Sequence, residues 1–175
     1  ENFGWPVTGK NIVVTNGSQT AFYLLFNLLA GEAVDGGGRR RLLFPLIPEY
    51  IGYADQPRSA GDLVGVRPRI EHTAPHRHKY RIDFDAIELT DDIAAVCVSR
   101  PTNPTGNVLT DEEIAKLDTM ARAHGVPLII DGAYGLPFPN IVFPEAVPRW
   151  NENIVLGLSL SKLGLPSART GILVA

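Results

Sequence analysis

The chain has 175 residues, of which 45% are hydrophobic and 20% are charged, and its formal net charge is -3. This composition is typical of an ordinary globular domain that can bury a core. A negative net charge argues against a nucleic-acid-binding surface, which is expected to be basic. No apolar run approaches the roughly 18 residues of a membrane span, and the first residues do not resemble a signal peptide. The single cysteine, Cys97, lies in an apolar run, so we expect a buried thiol in a cytoplasmic protein.

The first unit along the chain is a strand, a tight turn and a helix. Residues 12–15 are short and β-branched, and turn and N-cap residues follow them directly. A wide apolar stripe then predicts a helix that stops near Gly31. Such a turn aims the free backbone N–H groups of Gly17, Ser18 and Gln19 at one point, which suits a phosphate. Glycine-containing turns of this kind also occur without any ligand.

A second strand, residues 41–45, leads into the segment 48–53. Pro45 and Pro48 restrict the backbone before Tyr50, so we expect Tyr50 to emerge just past the carboxyl end of the strand. An aromatic ring in that position could stack on a planar ligand, or it could pack in the core with its hydroxyl satisfied.

The region from residue 57 to residue 82 is the least regular part of the sequence. Residues 62–66 predict a strand, and residues 68–80 predict a loop or an edge hairpin. Three histidines in that segment could suggest a metal site, but no carboxylate or cysteine joins them at ligand spacing, so a polar hairpin is favoured. Residues 83–89 predict a short helix with an acidic first turn.

The next strand, residues 93–98, is continuously apolar and is therefore expected to be buried on both faces. It leads to a loop in which prolines flank Asn103, whose side-chain amide could be aimed at one acceptor. Thr110 and Glu113 fit a capping box that opens a helix ending near His124.

Residues 126–130 predict another strand buried on both faces, which ends at Asp131. A carboxylate in that position is costly unless a cation or a strong donor meets it. The spacing puts Asp131 and Tyr134 on one small turn. Residues 137–150 are proline-rich and predict an excursion with at most one helical turn.

The last apolar runs are residues 153–158 and 171–175, and Ser159 and Lys162 directly follow the first of them. A lysine at the end of a strand lies where we expect a pocket floor. Its amine is a nucleophile only when it is deprotonated, and a neighbouring cation such as Arg169 favours that state. The alternative is an ordinary solvated surface lysine.

These strand-then-helix units, four in number, predict an α/β fold with a three-layer, mostly parallel, doubly wound sheet. In such a sheet, ligands bind beyond the carboxyl ends of the strands. The candidate residues that directly follow apolar strands are Gly17, Ser18, Gln19, Tyr50, Asn103, Asp131, Tyr134, Ser159 and Lys162. The sequence therefore predicts one site along this edge.

Several motifs together carry a resemblance to a known family. They are Pro101-x-Asn103-Pro104-x-Gly106, Asp131-x-x-Tyr134, Ser159-x-Ser161-Lys162 and Arg169. Because these motifs occur in this order, the chain from Asn11 to Ala175 resembles the fold type I pyridoxal-phosphate enzymes of the aminotransferase class I/II group. Residues 45–53 and 159–166 are most similar to the members that transfer the amino group of valine to pyruvate.

The resemblance implies a role for each candidate residue, with pyridoxal 5'-phosphate as the cofactor. Lys162 would bind the cofactor covalently and then move the substrate proton, and Asp131 would pair with the ring nitrogen. Asn103 and Tyr134 would hydrogen-bond the phenolic oxygen of the cofactor, and Tyr50 would stack on its ring. The residues that would hold the phosphate are Gly17, Ser18, Gln19, Ser159 and Arg169.

The resemblance also implies the substrates and the extent of the protein. An amino acid and a 2-oxo acid would exchange an amino group, most simply valine and pyruvate giving 3-methyl-2-oxobutanoate and alanine. Residues 1–175 would form the central part of the large cofactor-binding domain of a homodimer. The N-terminal arm and the C-terminal small domain would lie outside the chain, with the arginine that binds the substrate carboxylate. Arg100 and Arg149 do not match that arginine.

Other functions share these cofactor residues. Another fold type I enzyme, such as a carbon–sulfur lyase or a decarboxylase, remains open. So does the cofactor-binding sensor domain of a transcription regulator, in which a DNA-binding domain would precede residue 1.

Overall fold

The computed structural model describes residues 3–33, 36–136 and 146–175. The predicted excursion at 137–150 therefore lies largely outside the described residues, as does part of the glycine-rich loop before β3. The α-helices are α1 Ser18–Leu29 and α2 Asp111–Ala123. The strands are β1 Ile12–Asn16, β2 Gly31–Glu32, β3 Arg39–Phe44, β4 Leu63–Gly65, β5 Arg69–Ala74, β6 Arg77–Arg81, β7 Ile93–Ser99, β8 Leu128–Asp131, β9 Ile154–Ser159 and β10 Thr170–Val174.

One mixed sheet organises the chain, in the order β1-β10-β9-β8-β7-β3-β2, with β4 beside β3. Its centre is parallel, because β3, β7, β8 and β9 run in one direction and β4 runs alongside β3. The strands β1, β10 and β2 pair antiparallel at the two sides. The prediction of a mostly parallel α/β sheet is confirmed, and the parallel centre brings several carboxyl ends to one edge.

The two α-helices cover opposite faces of this sheet and make three layers. Strand β7 is buried throughout, as its unbroken apolar sequence predicted. Its alternate side chains serve the two faces: Val96 and Val98 lie in the cluster that contains α2, while Cys97 lies with Phe22 and Phe26 of α1. A strand that is covered by a helix on each face is buried on both sides, which explains why the residues of β7 are almost all apolar.

The helix boundaries follow from local chemistry. Thr110 and Glu113 form the predicted capping box, in which each side chain accepts the other residue's backbone N–H. Helix α2 then ends beside Gly125, which has a φ of +73°. Helix α1 begins after Gly17, whose φ is +85° and which makes no side-chain cap.

The prediction of four strand-then-helix units is wrong in one respect, because the described residues contain only two α-helices. After β3 the chain forms a 3₁₀ helix at Ile51–Asp55, and the helix expected at 83–89 is a single 3₁₀ turn, Phe84–Ala86. Segments this short gain too few hydrogen bonds to offset the cost of starting an α-helix. Strand β1 lies at the edge of the sheet, where Val13 and Val14 are exposed.

The segment after β4 forms the predicted hairpin, in which β5 and β6 pair antiparallel as a separate two-stranded sheet. His72 lies opposite His78 in this hairpin. Within the described parts of the chain, no helix has the length and apolar character needed to cross a membrane.

Candidate active site

The carboxyl ends of β7, β8 and β9 border a pocket of about 280 Å³. Nine of the ten candidate residues line it, and they come from every strand end that the sequence singled out. They are Ser18, Gln19, Tyr50, Asn103, Asp131, Tyr134, Ser159, Lys162 and Arg169. The tenth, Gly17, lies directly beneath the Arg169 guanidinium, since a Cβ placed on Gly17 would be 2.7 Å from Arg169 Nη2.

One wall of the pocket is the N-terminus of α1. No side chain caps this end, so its first backbone N–H groups keep free hydrogen-bonding capacity. The helix dipole makes that end positive, and the Arg169 guanidinium beside it adds a full charge. Gly171 allows β10 to pass close by, because a Cβ there would lie 2.5 Å from the Ser18 nitrogen. This wall is chemically suited to a phosphate.

A second wall is aromatic. Tyr50 precedes the 3₁₀ helix Ile51–Asp55, and the Gln19 side-chain amide donates a hydrogen bond to its hydroxyl at 3.2 Å. The Tyr50 ring meets the Tyr53 ring edge to face, with centroids 5.5 Å apart. These contacts hold the Tyr50 ring at the pocket.

The amide and the phenol predicted to act together are in contact. The Asn103 amide donates to the Tyr134 hydroxyl at 3.3 Å. The Lys162 ammonium lies 5.2 Å from the Tyr134 ring centroid, a cation–π distance. Ser159 is buried at the end of β9, and its hydroxyl accepts the Ser161 N–H at 3.3 Å.

Lys162 lines the pocket, and its side chain is exposed. It belongs to the 3₁₀ helix Ser161–Leu163, which leaves the sheet at the end of β9, and its side chain is exposed on the open side of the pocket. Arg169 is exposed on the same side. Both cationic side chains therefore line the pocket and are exposed.

The floor is Asp131, which is 9% exposed. Its carboxylate accepts the Tyr53 hydroxyl at 2.5 Å and the Ala133 N–H at 2.9 Å. Burial raises the pKa of Asp131, and the Tyr53 hydrogen bond opposes this rise. These donors are the strong partners that the sequence required of a carboxylate at the end of an apolar strand.

Sequence reasoning missed Tyr53, Ser99 and Glu49, which lie directly behind the floor. The Tyr53 hydroxyl is 3.1 Å from Ser99 Oγ, and the Ser99 N–H donates to Glu49 Oε1 at 2.9 Å. Burial raises the pKa of Glu49 to about 7. The local sequence carries no signal for this role of Tyr53, because its contact with Asp131 joins residues 78 positions apart.

Arg100 has a structural environment. It is 6% exposed, donates to the Leu109 and Val147 carbonyls, and pairs with Asp111 at 2.7 Å. Each of the three guanidinium nitrogens of Arg100 therefore has a partner within the protein.

Comparison with known proteins identifies the family. The model of "Aminotransferase class I and II" matches residues 61–175, which is most of the chain and includes the ends of β7, β8 and β9. The chain belongs to the class I and II aminotransferase family. Members of this family use pyridoxal phosphate.

Three aminotransferases share about half of their aligned residues with this chain. The valine–pyruvate aminotransferase of Escherichia coli K12 is 55% identical over all 175 residues of this chain. The crystal structure of valine-pyruvate aminotransferase from Salmonella typhimurium LT2 is 53% identical over 98% of this chain, with a TM-score of 0.89. A putative amino-acid aminotransferase from Psychrobacter arcticum 273-4 is 49% identical over 99% of it, with a TM-score of 0.92. The chain spans 42% of the length of each of these three proteins.

Proposed function

We propose that this chain is part of a pyridoxal-phosphate-dependent aminotransferase that transfers the amino group of valine to pyruvate, with 3-methyl-2-oxobutanoate and alanine as products. The observation that carries the proposal is that an amine, a buried carboxylate and a cationic helix N-terminus converge on one pocket. The choice of valine and pyruvate is supported by the 55% identity to the valine–pyruvate aminotransferase of E. coli.

The chemistry of the donor set fits the cofactor. The α1 N-terminus, Ser159 and Arg169 offer hydrogen bonds and positive charge for a phosphate dianion. Asp131 offers a carboxylate to a protonated ring nitrogen, and Lys162 offers an amine to an aldehyde. An anion site, a buried carboxylate and a lysine are the three features that this cofactor needs from a protein.

When bound, pyridoxal phosphate supplies an aldehyde that links covalently to amines and a ring that withdraws electrons from the substrate α-carbon. The residues of this chain supply the binding and the proton movements. Lys162, on the open side of the pocket, would take the proton from the substrate α-carbon and return it during transfer. Its exposure in this chain leaves room for the substrate to reach the amine.

Asp131 would hold a proton on the ring nitrogen, because a carboxylate at that point favours the charged ring. The Tyr53 and Ala133 donors fix the orientation of the carboxylate. Asn103 and Tyr134, already in contact, would hydrogen-bond the phenolic oxygen of the cofactor, and Tyr50 would cover the face of the ring.

We also propose that the full protein is a cytoplasmic homodimer that binds neither nucleic acid nor membranes. The buried Cys97 thiol supports a cytoplasmic location. The net charge of -3 argues against binding of nucleic acid. The homodimer is what the resemblance to the family implies. Sedimentation of the full-length protein would measure its mass, and a monomer would reject the dimer.

The test of the proposed function is a half-reaction screen with the full-length protein. Mixing the enzyme with one amino acid at a time, without pyruvate, should change the visible absorbance of the bound cofactor when valine or alanine is added. Lys162→Ala should abolish the change, whereas Lys116→Ala, at an exposed lysine of α2, should leave it intact. A fast response to aspartate or an aromatic amino acid, with none to valine or alanine, would reject the assigned substrates.

The same screen separates the other functions. A lyase or a decarboxylase would release ammonia or carbon dioxide from its substrate, whereas an aminotransferase would leave the amino group on the cofactor. Alanine should appear in one-to-one ratio with 3-methyl-2-oxobutanoate when pyruvate is supplied. A protein that binds the cofactor but turns over no amino acid would favour the sensor domain.

A further inference from the structure

The Arg169 guanidinium occupies the space that a side chain on Gly17 would fill. A Cβ placed on Gly17 would lie 2.7 Å from Nη2, 2.9 Å from Cζ and 3.4 Å from Nε of Arg169. If the guanidinium met Gly17 with the edge between Nε and Nη2, its central Cζ would be the farthest of these three atoms. The planar group therefore presents its face to Gly17, which is buried although Arg169 is exposed.

The backbone on both sides of this contact is held in place. Gly17 has a φ of +85° and a ψ of 155°, a region that essentially only glycine adopts. The backbone of β10 passes against it, because a Cβ on Gly171 would lie 2.6 Å from the Gly17 carbonyl carbon. Arg169 has a φ of +43°, and the next residue, Thr170, pairs with Asn16 in the ladder between β1 and β10. The close approach of Arg169 to Gly17 is therefore set by the backbone of both segments.

The orientation of the guanidinium depends on this packing contact. Within residues 3–33, 36–136 and 146–175, the Arg169 side chain forms no hydrogen bond and no ion pair. An exposed arginine without a partner is expected to sample many rotamers, since its long side chain has high rotamer entropy. The positive end of the α1 dipole also repels its charge. Packing on Gly17 is therefore the contact that keeps this guanidinium at the pocket.

We propose that Gly17 is a positioning residue: because it has no side chain, the Arg169 guanidinium lies over the N-terminus of α1 before any ligand binds. A phosphate that enters the pocket then meets a cation that is already in place, which lowers the entropy cost of binding. A side chain at position 17 would displace the guanidinium and weaken phosphate binding. The identity of the anion rests on the proposed function, whereas the position of Arg169 is a property of the protein itself.

Binding of two ligands to the full-length apoprotein tests this role. The ligands are pyridoxal phosphate and pyridoxal, which lacks the phosphate, and absorbance titration measures both affinities. Gly17→Ala should weaken binding of pyridoxal phosphate about 10-fold, as Arg169→Ala should, and leave the affinity for pyridoxal unchanged. When Arg169 is already replaced with Ala, Gly17→Ala should have less than about a 2-fold effect, because no guanidinium remains to be displaced.

Gly125→Ala is the matched control for backbone strain. Gly125 also has a positive φ, of +73°, but no atom lies within 4 Å of an added Cβ. This variant should leave both affinities unchanged. The proposal is overturned if Gly17→Ala weakens both ligands equally, or if it weakens pyridoxal phosphate as much without Arg169 as with it. Distortion of the backbone would then explain the loss.

Nuclear magnetic resonance of the wild-type apoprotein decides the proposal if Gly17→Ala does not fold. In protein labelled with nitrogen-15 arginine, the Arg169 Nε–H signal is identified by its loss in Arg169→Lys. Its order parameter should exceed that of the exposed Arg58, and an equally mobile Arg169 would overturn the proposal.

These measurements separate the proposal from the proposed function. If they contradict the role of Gly17 while pyridoxal phosphate still links to Lys162, the proposed function stands. If the wild-type apoprotein bound no pyridoxal phosphate, the proposed function would fail, and the order parameter of Arg169 would still decide the role of Gly17.

Discussion

Tyr53 donates its hydroxyl hydrogen to Asp131 across 2.5 Å, and both side chains are buried. The two residues are 78 positions apart. Tyr53 lies in the 3₁₀ helix that follows β3, and Asp131 ends β8, which is separated from β3 by β7. This hydrogen bond therefore ties the segment after β3 to the pocket floor and orients the carboxylate. It is the contact on which the charge of the pocket depends most directly.

Replacing Tyr53 with Phe should leave the shape of the core unchanged and remove the donor to Asp131. A buried acceptor that loses its partner costs about 1–3 kcal/mol, so we expect the unfolding free energy to fall by this amount at pH 8. Because the lost bond lowered the pKa of Asp131, that pKa should rise in the variant. The loss of stability should then shrink towards low pH, where Asp131 is protonated in both proteins. Denaturant unfolding at several pH values measures this, and a loss that is independent of pH would contradict it.

Glu49 should make stability depend on pH. Its pKa in the folded protein is about 7, above the ordinary value of 4.5, so folding favours its protonated form. That contribution is complete below about pH 4.5 and is lost as the pH rises through about 7. Between these limits, the unfolding free energy of Glu49→Gln should gain about 3 kcal/mol relative to the wild type.

Denaturant unfolding of both proteins across this pH range measures the difference. Glu88→Gln is the control and should show no change relative to the wild type, since Glu88 is exposed. A constant difference between Glu49→Gln and the wild type at every pH would refute the titration of Glu49.

Gly171 should tolerate no side chain. A Cβ there would lie 2.5 Å from the Ser18 nitrogen and 2.6 Å from the Gly17 carbonyl carbon, and both are backbone atoms that cannot rotate away. Gly171→Ala should push the α1 N-terminus away from β10, at a cost of about 1–3 kcal/mol of stability. Thermal unfolding and cofactor binding should both be impaired. Gly9→Ala, at a glycine with no atom within 4 Å of the added Cβ, should change neither, and equal effects would contradict the account.

Arg169 should contribute affinity for the phosphate of the cofactor. Its guanidinium lies over Gly17 at the uncapped end of α1, where it can form charge-assisted hydrogen bonds with an anion. We expect Arg169→Ala to weaken binding of pyridoxal phosphate to the full-length apoprotein about 10-fold, which corresponds to about 1.4 kcal/mol. Arg58→Ala, at an exposed arginine away from the pocket, is the control. Equal affinities of the two variants would exclude Arg169 from the phosphate site.

Much of the site could be predicted because the polar residues directly follow apolar strands. Unbroken apolar runs predict strands β7 and β8, and parallel strands bring their carboxyl ends to one edge of the sheet. The sequence therefore predicted that Asn103, Asp131 and Tyr134 lie at the same edge of the sheet. The capping box of Thr110 and Glu113 is equally local and was also correct.

The rest depends on contacts between distant residues. Nothing near Tyr53 in the sequence indicates that its hydroxyl reaches Asp131, because the fold alone brings them together. The sequence did not single out Glu49, and its raised pKa follows from burial in the fold. Lys162 lies in the 3₁₀ helix Ser161–Leu163, which the sequence did not predict.

The most direct test of the central claim is the covalent attachment of the cofactor. The full-length protein, loaded with pyridoxal phosphate and reduced with borohydride, should carry the cofactor mass on the peptide that contains Lys162, and Lys162→Ala should carry none. Attachment to Lys116 or to any other lysine, or no attachment at all, would contradict the assignment of this pocket.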